Sequence, residues 1–372
     1  MSFKNFFKDL GMILATTVGA GIFVLPYVFH ESGWVISLFY LLIFSGLVAT
    51  VHLLYWRVLV KEDGKKRLLG LIRAKLGRFS FGLSFVSVLG GLVFALVAFL
   101  ILGGKFLGVV LPGAEENVRI LIFWAVSSFP LIFSLKRMVG LELIGGIAMV
   151  LIVGLIFVSA LSSPVVTTVK DFDFGNLFLP FGAILFSLAG WTAIEPIYDS
   201  YKKHSAGMSF AKRGLQFVFA TYAAALVYLF FVLAIFNSAN AITPDTISGL
   251  GNWSSAKLGV LGIFGLFALW TSYLPISREV ENLLVRDLKK ARIWSVVAVI
   301  FLPLILVFAG LKNFLVAVSM VGGIFLASQY FFIAIVSERV LKPRRLKKFL
   351  IYFVAFVFLL GAVYEIYYFV IR

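Results

Sequence analysis

The sequence predicts an all-α, polytopic membrane protein with about eleven transmembrane helices, because its composition, its apolar runs and its basic residues fit a chain that crosses a bilayer repeatedly. Of its 372 residues, 62% are hydrophobic and 13% are charged, whereas a soluble domain carries about 25% charged residues. Apolar runs such as 34–55, 81–104 and 215–236 have about the 20 residues that span the hydrocarbon core. A water-soluble fold could not bury that much apolar surface.

The basic residues predict the orientation of the chain in the membrane. When the amino terminus is placed inside, most of the 33 lysines and arginines fall in inner segments, above all 57–78, 278–292 and 339–348, as the positive-inside rule requires. We therefore expect an integral protein of the plasma membrane with a cytoplasmic amino terminus and an outer carboxyl terminus. The net charge of +16 then attracts anionic lipid of the inner leaflet, and no nucleic-acid partner is expected.

The first apolar run is predicted to be a permanent span. It has a short basic leader with Lys4 and Lys8, but no small-residue cleavage site precedes Leu25-Pro26. The chain contains no cysteine, which excludes disulfides and thiolate metal sites.

The basic loop at 57–78 has apolar residues at helical spacing, among them Leu68, Leu69, Ile72 and Leu76. This pattern predicts an amphipathic helix that lies on the cytoplasmic membrane surface. A plain solvated linker is the alternative.

The chain is predicted to be one transmembrane domain, 1–372, that contains two repeats. Gly19 matches Gly190 and Tyr27 matches Tyr198 at one constant offset, and five predicted spans separate the two starts. The second repeat would then face the opposite way across the membrane, as in the inverted repeats of many secondary transporters. The expected bounds are about 10–161 for repeat one, about 177–336 for repeat two and about 347–370 for an extra helix.

Glycine and proline interrupt the first predicted helix near its middle. Gly19-Ala20-Gly21 favours no helical geometry, and Pro26 removes a backbone hydrogen bond. N–H groups at the start of the outer half, together with the positive end of its dipole, would suit a substrate carboxylate, and freed carbonyls of the inner half would suit an ammonium group or a cation. The alternative is a small-residue face for helix packing.

Residues 19–26, Gly-Ala-Gly-Ile-Phe-Val-Leu-Pro, resemble the first-helix signature of the amino acid-polyamine-organocation superfamily, and in particular its aromatic and neutral amino acid permease branches. The resemblance implies the leucine transporter fold, a five-plus-five inverted repeat with substrate held between the broken first and sixth helices. Residues 186–196, Phe-Ser-Leu-Ala-Gly-Trp-Thr-Ala-Ile-Glu-Pro, resemble that sixth helix. The stretch 271–284 further resembles the eighth-helix region of the same branches.

These resemblances give the candidate substrate-binding residues. Gly190 alone is weak evidence, and an aromatic residue in a chain with 41 phenylalanines more often serves packing than a pocket. The pairing of the two broken helices is what favours a site. The candidates are Thr17, Gly19, Ala20, Gly21, Phe23, Phe186, Ser187, Ala189, Gly190, Trp191 and Tyr273.

Glu195 is the candidate for proton coupling, since it lies well inside a predicted span and beside a break. A carboxylate inside a membrane is costly and is a functional hypothesis by default. The alternatives are that Glu195 lines a wet inner vestibule or pairs with a base such as Lys202. Glu142 and Glu365 are expected nearer span ends, where their carboxylates would reach the interface.

The resemblance to sodium-coupled members of the fold implies a candidate cation site in the eighth helix. Hydroxyls of Thr271 and Ser272, with carbonyls of Ala15, Val18 and Ala268, would supply five hard oxygen ligands for Na⁺. The alternative is that both hydroxyls bond back to their own helix. No other cofactor is expected.

The predicted function is cation-coupled symport, with Na⁺ or H⁺, of neutral and hydrophobic or aromatic amino acids by alternating access. One alternative is an uncoupled exchanger or facilitator of the same fold. The other is a membrane-embedded enzyme, against which we weigh the expectation that His30, His52 and His204 lie near span ends and far apart. The expected partners are the amino acid and membrane lipid, and the oligomeric state is left open.

Overall fold

The computed structural model describes residues 10–11, 13–14, 16–133, 141–161, 167–204, 210–286 and 288–371. These residues form helices and their connections, with no strand among them, so the predicted all-α class is confirmed. The helices in chain order are α1 (within 10–17), α2 (Leu25–Ser32), α3 (Trp34–Lys61), α4 (Leu68–Val110), α5 (Glu116–Ile132), α6 (Leu141–Leu161), α7 (Leu179–Ser187), α8 (Ile194–His204), α9 (Phe210–Phe236), α10 (Ser255–Arg286), α11 (Arg292–Phe308), α12 (Phe314–Ser319), α13 (Ala327–Leu341) and α14 (Arg345–Ile371).

Eight helical stretches of the described chain are long and apolar enough to cross a membrane. The first helix, which is broken, and the 17-residue helices α5 and α11 occupy the other three predicted spans. Large apolar side chains such as Phe39, Val86 and Phe356 point outward, with 60% or more of their surface exposed. Only a lipid environment makes so much exposed apolar surface stable. The chain is therefore a polytopic membrane protein, as predicted.

Consecutive spans run in opposite directions because short connections join them. We name the two ends of the bundle by the orientation that the sequence predicts. The predicted inner end holds the connections 62–67 and 342–344, and the predicted outer end holds 111–115, 167–178 and 237–254.

Helix α4 forms the centre of the bundle and packs against α5, α10, α11 and α13. Its middle is apolar on every side, and Leu96, Leu100 and Leu102 have no exposed surface, as expected for a helix that is surrounded by others. Near its start, Gly77 has a φ of +90° and bends the chain, a conformation that favours glycine.

The segment 68–76 before this bend is helical, so the predicted amphipathic helix forms. Its apolar side does not lie on lipid, however, because Leu68, Leu71 and Ile72 are buried against the protein core. The segment therefore belongs to the bundle and not to the membrane surface.

A π-helical segment, Met320–Leu326, joins α12 to α13. The wider turn brings its glycines against α7, where a Cβ on Gly322 would lie 1.8 Å from the carbonyl oxygen of Gly182. The two backbones touch at this point, and π-helical turns of this kind are frequent at functional sites.

Candidate functional site

The first helix is interrupted at the predicted glycines. α1 ends before Val18 and Gly19, which are not helical, and a 3-10 turn, Ala20–Val24, leads into α2. Gly19 has an extended backbone with φ −128° and ψ −152°. The N–H groups of Ala20 and Gly21 stand in the first turn of the new segment, where no earlier residue of that segment can accept from them. The break therefore exposes backbone donors.

The sixth predicted span is interrupted at the matching position. α7 ends at Ser187, residues 188–190 lie outside the helix, and a 3-10 turn, Trp191–Ala193, leads into α8. A Cβ placed on Gly190 would lie 2.6 Å from the hydroxyl oxygen of Thr17. The two breaks thus meet inside the bundle, and two of the predicted site residues, Thr17 and Gly190, lie where they meet.

Gly21 is the point of closest approach between the two broken helices. A Cβ on Gly21 would lie 2.7 Å from both Cα and Oγ of Ser187, so only glycine fits there. The Ser187 hydroxyl lies 2.8 Å from the carbonyl oxygen of Gly21 and 2.8 Å from that of Ala183. Since a hydroxyl has one proton to donate, the two carbonyls share it. This bond joins the outer half of the first helix to α7.

Tyr228 of α9 ties the two breaks together from one side. Its hydroxyl lies 2.8 Å from the carbonyl oxygen of Thr17 and 2.5 Å from that of Ser187. The side chain has no exposed surface, so these carbonyls have a protein donor in place of water. Tyr228 was not among the predicted site residues, because one tyrosine among 13 carries no signal of which carbonyls it will meet.

Open space lies beside the first break. A Cβ placed on Gly19 would meet no heavy atom within 4 Å. Phe186 and Ala189 keep part of their surface exposed, whereas Leu185 and Leu188 beside them have none exposed. Gly19, Phe186 and Ala189 are therefore the predicted residues that border accessible space.

Phe23 is packed and does not border that space. It has no exposed surface, and its ring lies edge-on to the rings of Phe106 and Phe231 at centroid distances of 5.3 and 5.6 Å. The hydroxyl of Thr246, in the connection 237–254, donates to the Phe23 carbonyl. The connection therefore covers the outer half of the first helix.

Trp191 is anchored by a buried amide. Its ring N–H donates to Oε1 of Gln329 at 2.8 Å, and Nε2 of Gln329 donates to the carbonyl of Ser87 at 3.0 Å. Gln329 is 3% exposed, and this buried polar group thus has a partner at each end. A glutamine inside an apolar span is the sequence signal that could have found this position.

His52 lies beside the breaks and not near a span end, so that expectation was wrong. α3 continues as far as Lys61, which leaves His52 well inside the helix with no exposed surface. Its Nε2 lies 3.3 Å from the Tyr330 hydroxyl, and its Cε1 would lie 3.4 Å from a Cβ on Gly190. A polar ring thus faces the second break from α3.

Glu195 lies at the start of α8 and contacts the turn that precedes α4. Tyr55 donates to its carboxylate, the N–H of Leu68 donates to the same oxygen at 3.3 Å, and Nε of Arg67 lies 3.5 Å from its other oxygen. Arg67 also donates to Asp199 at 2.5 Å. The base that pairs with Glu195 is therefore Arg67 and not Lys202. Its proton-coupling role stays a prediction.

Lys202 pairs with Asp63 of the connection 62–67, at 3.0 Å. The hydrogen bond from Lys202 holds the pKa of the Asp63 carboxyl below its ordinary value, and the same bond raises the pKa of Lys202. Together with Glu195, Asp199 and Arg67, this pair forms a group of charged contacts that we call the inner lock. It fastens α8 to the predicted inner end.

The candidate cation ligands of α10 converge on one carbonyl. The Thr271 and Ser272 hydroxyls lie 2.9 and 3.0 Å from the carbonyl oxygen of Ala268. Hydroxyl and carbonyl oxygens are hard ligands of the kind that a cation such as Na⁺ prefers, but both hydroxyl protons are directed to their own helix, as in the alternative reading of this stretch. Val18 lies in the first break, Ala15 lies outside the described residues, and the sodium site stays a prediction.

Tyr273 points toward α5. It has no exposed surface, and its ring lies edge-on to Phe123 of that helix at a centroid distance of 6.2 Å. None of its described ring contacts is with a broken helix, so the structure does not bring Tyr273 together with the other candidates.

No family model and no curated protein sequence matches the chain. Among solved structures 127 chains match, and one of them is the crystal structure of MhsT in complex with L-phenylalanine. It aligns with a TM-score of 0.64 and 13% sequence identity over 95% of this chain and 98% of the MhsT chain.

The chain has a leucine-transporter-like fold. At 13% identity the match concerns the fold alone. It confirms the predicted architecture and leaves the permease branch as a prediction.

Proposed function

We propose that the chain is a secondary active transporter that carries neutral, hydrophobic or aromatic amino acids across the plasma membrane by alternating access, in symport with a cation. The observation that carries the proposal is the meeting of two helix breaks beside open space, at Gly19, Gly21 and Ser187. Unwound backbone on two facing helices is the arrangement with which inverted-repeat transporters bind substrates and ions.

The chemistry of the breaks fits an amino acid. N–H groups of Ala20 and Gly21 at the start of the outer half suit a carboxylate. Phe186 offers partly exposed apolar surface at the breaks, since its ring would lie 3.0 Å from a Cβ on Gly21, and no basic or second acidic side chain is described there to bind a charged side chain. The structural neighbour MhsT was solved with L-phenylalanine, which supports an aromatic or other hydrophobic substrate for this chain.

The proposed setting is a membrane in which the amino terminus faces the cytoplasm, the carboxyl terminus faces outside and lipid surrounds the bundle. The proposal assigns no catalytic step to the chain. Alternating access would move the two broken helices against the remaining spans around the space beside Gly19.

An uncoupled exchanger is the second candidate, and two observations favour it. Both hydroxyls of the candidate cation site bond to Ala268 of their own helix, and Glu195 already has Arg67 as a partner. An exchanger keeps the broken helices and the substrate site but responds to no ion gradient.

Transport in proteoliposomes tests the function. We expect labelled neutral amino acids to accumulate under a sodium or a proton gradient, and no accumulation under either gradient contradicts symport. Glu195→Gln should abolish proton coupling if Glu195 carries the proton. Thr271→Ala with Ser272→Ala should abolish sodium coupling if these hydroxyls bind the ion. Substrate exchange that ignores both gradients identifies the exchanger.

A single introduced cysteine tests the site itself, because the chain has no cysteine of its own. Gly19→Cys places a thiol where a Cβ meets no atom within 4 Å, and we expect a small thiol reagent to label it and L-phenylalanine to slow the labelling. Gly113→Cys, at a position that is equally open but lies in the connection 111–115, is the matched control and should label at the same rate with or without the amino acid. Equal labelling of Gly19→Cys in both conditions contradicts the proposed site.

A further inference from the structure

A cavity of about 110 Å³ lies at the predicted outer end, apart from the two breaks. α7, α12 and α14 form its walls, and Asn176, Ser319 and Glu365 are among the lining residues. Gly175 and Phe178, which also line it, lie in the connection 167–178 and are exposed. A space of this size holds a few water molecules. Glu365 and the exposed residues of the connection line the same cavity, so water in it would link that connection to the carboxylate.

Glu365 lies near the end of α14, as the sequence predicts, but its side chain is buried and does not extend along the surface. The residue is 5% exposed and lies beside the backbones of two other elements. A Cβ on Gly323 of the π-helical segment would lie 2.4 Å from its Cγ, and a Cβ on Gly182 of α7 would lie 3.1 Å from its Oε1. The missing side chains of these two glycines make the room that the carboxylate occupies.

No basic side chain pairs with Glu365 in the part of the chain that the structure describes. Its polar partner is the backbone N–H of Gly182. The titratable groups that face it are Tyr40 of α3 and, on its own helix, Tyr364 and Tyr368. α7, α12 and the π-helical segment have no titratable residue.

The titratable groups of α13 contact α14 at residues that precede Glu365. Tyr330 meets Phe358, and Glu338 pairs with Lys348. No charge on that helix therefore balances a charge on Glu365.

A buried carboxylate without a cationic partner is strongly disfavoured in its charged form. Glu195 shows the contrast within the same protein, because Arg67 stands beside it. A proton from the cavity is the simplest species that neutralises Glu365, and binding it forms one O–H bond and releases nothing but the water that carried the proton.

We propose that Glu365 is the proton-binding site that couples transport to a proton gradient, loaded from the predicted outer side through this cavity. The inference rests on the proposed function and names its coupling ion. Glu365 touches α7 at Gly182, and α7 ends at Ser187, whose hydroxyl bonds to Gly21 across the two breaks. When Glu365 binds a proton, the charged carboxylate that accepts from the Gly182 N–H becomes a neutral carboxylic acid. The hydrogen bond to a neutral acceptor is weaker, so the contact between α14 and α7, the outer half of the second broken helix, is weakened.

Reconstituted protein with Glu365→Gln tests the proposal. We expect accumulation driven by an inward proton gradient to fall by about tenfold or more, while exchange of labelled for unlabelled substrate without a gradient stays within about twofold of wild type. Glu116→Gln removes a carboxylate at the same end that pairs with Lys105 at 2.8 Å, and as the matched control it should change neither rate.

Retained proton-driven accumulation in Glu365→Gln overturns the proposal, as does accumulation in wild type that follows the sodium gradient alone. If Glu365→Gln does not reach the membrane folded, Glu365→Asp replaces it, and a pH profile of accumulation identical to that of wild type overturns the proposal as well.

A readout without substrate separates this inference from the proposed function. Infrared difference spectra across a pH titration should show a protonated carboxylic acid in wild type that is absent in Glu365→Gln. If the band is lost in Glu365→Gln but wild type transports no amino acid, the proton-binding site stands and only the transport function is contradicted. Identical spectra for the two proteins overturn the Glu365 site.

Discussion

At the predicted outer end the first broken helix is covered by apolar rings and one hydroxyl, whereas at the predicted inner end the second broken helix is held by charged side chains. Phe23 is enclosed by Phe106 and Phe231, and Thr246 donates to its carbonyl. The inner lock instead joins α8 to the connection 62–67 through Arg67 and Lys202.

The two closures respond to different conditions. Apolar packing depends little on salt or pH, whereas ion pairs with exposed partners are weak and are screened by salt. The Asp199 and Asp63 side chains are 51% and 59% exposed, so water reaches the inner lock. Salt should therefore weaken the inner lock more than the apolar cover of the predicted outer end.

The largest expected effect comes from Gly21→Ala, since Gly21 and Ser187 form the contact that joins the two broken helices. The new Cβ would lie 2.7 Å from the Cα of Ser187, and a backbone atom cannot rotate away as a side chain can. We therefore expect overpacking to destabilise the protein by about 1–3 kcal/mol, and we expect transport to be lost. Thermal unfolding in detergent and uptake measure the two effects. Gly154→Ala, where a Cβ meets nothing within 4 Å, is the control, and equal behaviour of both variants contradicts the close contact.

Accessibility of a thiol at Gly19→Cys compares the two ends directly. Thr246→Val removes the donor to the Phe23 carbonyl, a loss of about 1–3 kcal/mol for a buried acceptor, and should increase labelling by an impermeant reagent from the outside. Arg67→Gln loosens the inner lock and should increase labelling from the inside. If both variants increased labelling from the same side of the membrane, the assignment of the Thr246 contact to the outer end and of the inner lock to the inner end would be contradicted.

The breaks themselves were predictable, because Gly19, Gly21 and Gly190 act on the local backbone and each break is followed by a proline, Pro26 or Pro196. The partners of the breaks were not. Tyr228 and His52 reach them from spans far away in the sequence, and which face of a helix turns inward is decided by packing. Periodicity gives no such face in helices that are apolar on all sides.

Glu365 shows the same limit for a charged residue. Its position, about two turns before the end of α14, suggested an interfacial carboxylate. Its burial depends on Gly182 and Gly323, which lie on other elements and leave the space it fills. The glycines were visible in the sequence, but their pairing with an acid was not.

The smallest expected effect is that of Asp63→Asn, which tests whether the exposed part of the inner lock matters. The pair with Lys202 holds the pKa of Asp63 below its ordinary value, so its contribution is complete at neutral pH and is lost only as the pH falls through that lowered value. We therefore expect a slight rise in inside labelling of Gly19→Cys at neutral pH, smaller than with Arg67→Gln, and no difference between Asp63→Asn and its parent in strong acid. High salt should remove the same difference, because it screens an exposed pair. An effect equal to that of Arg67→Gln would show that the lock depends on Lys202 and Asp63 as much as on the partly buried Glu195 contact.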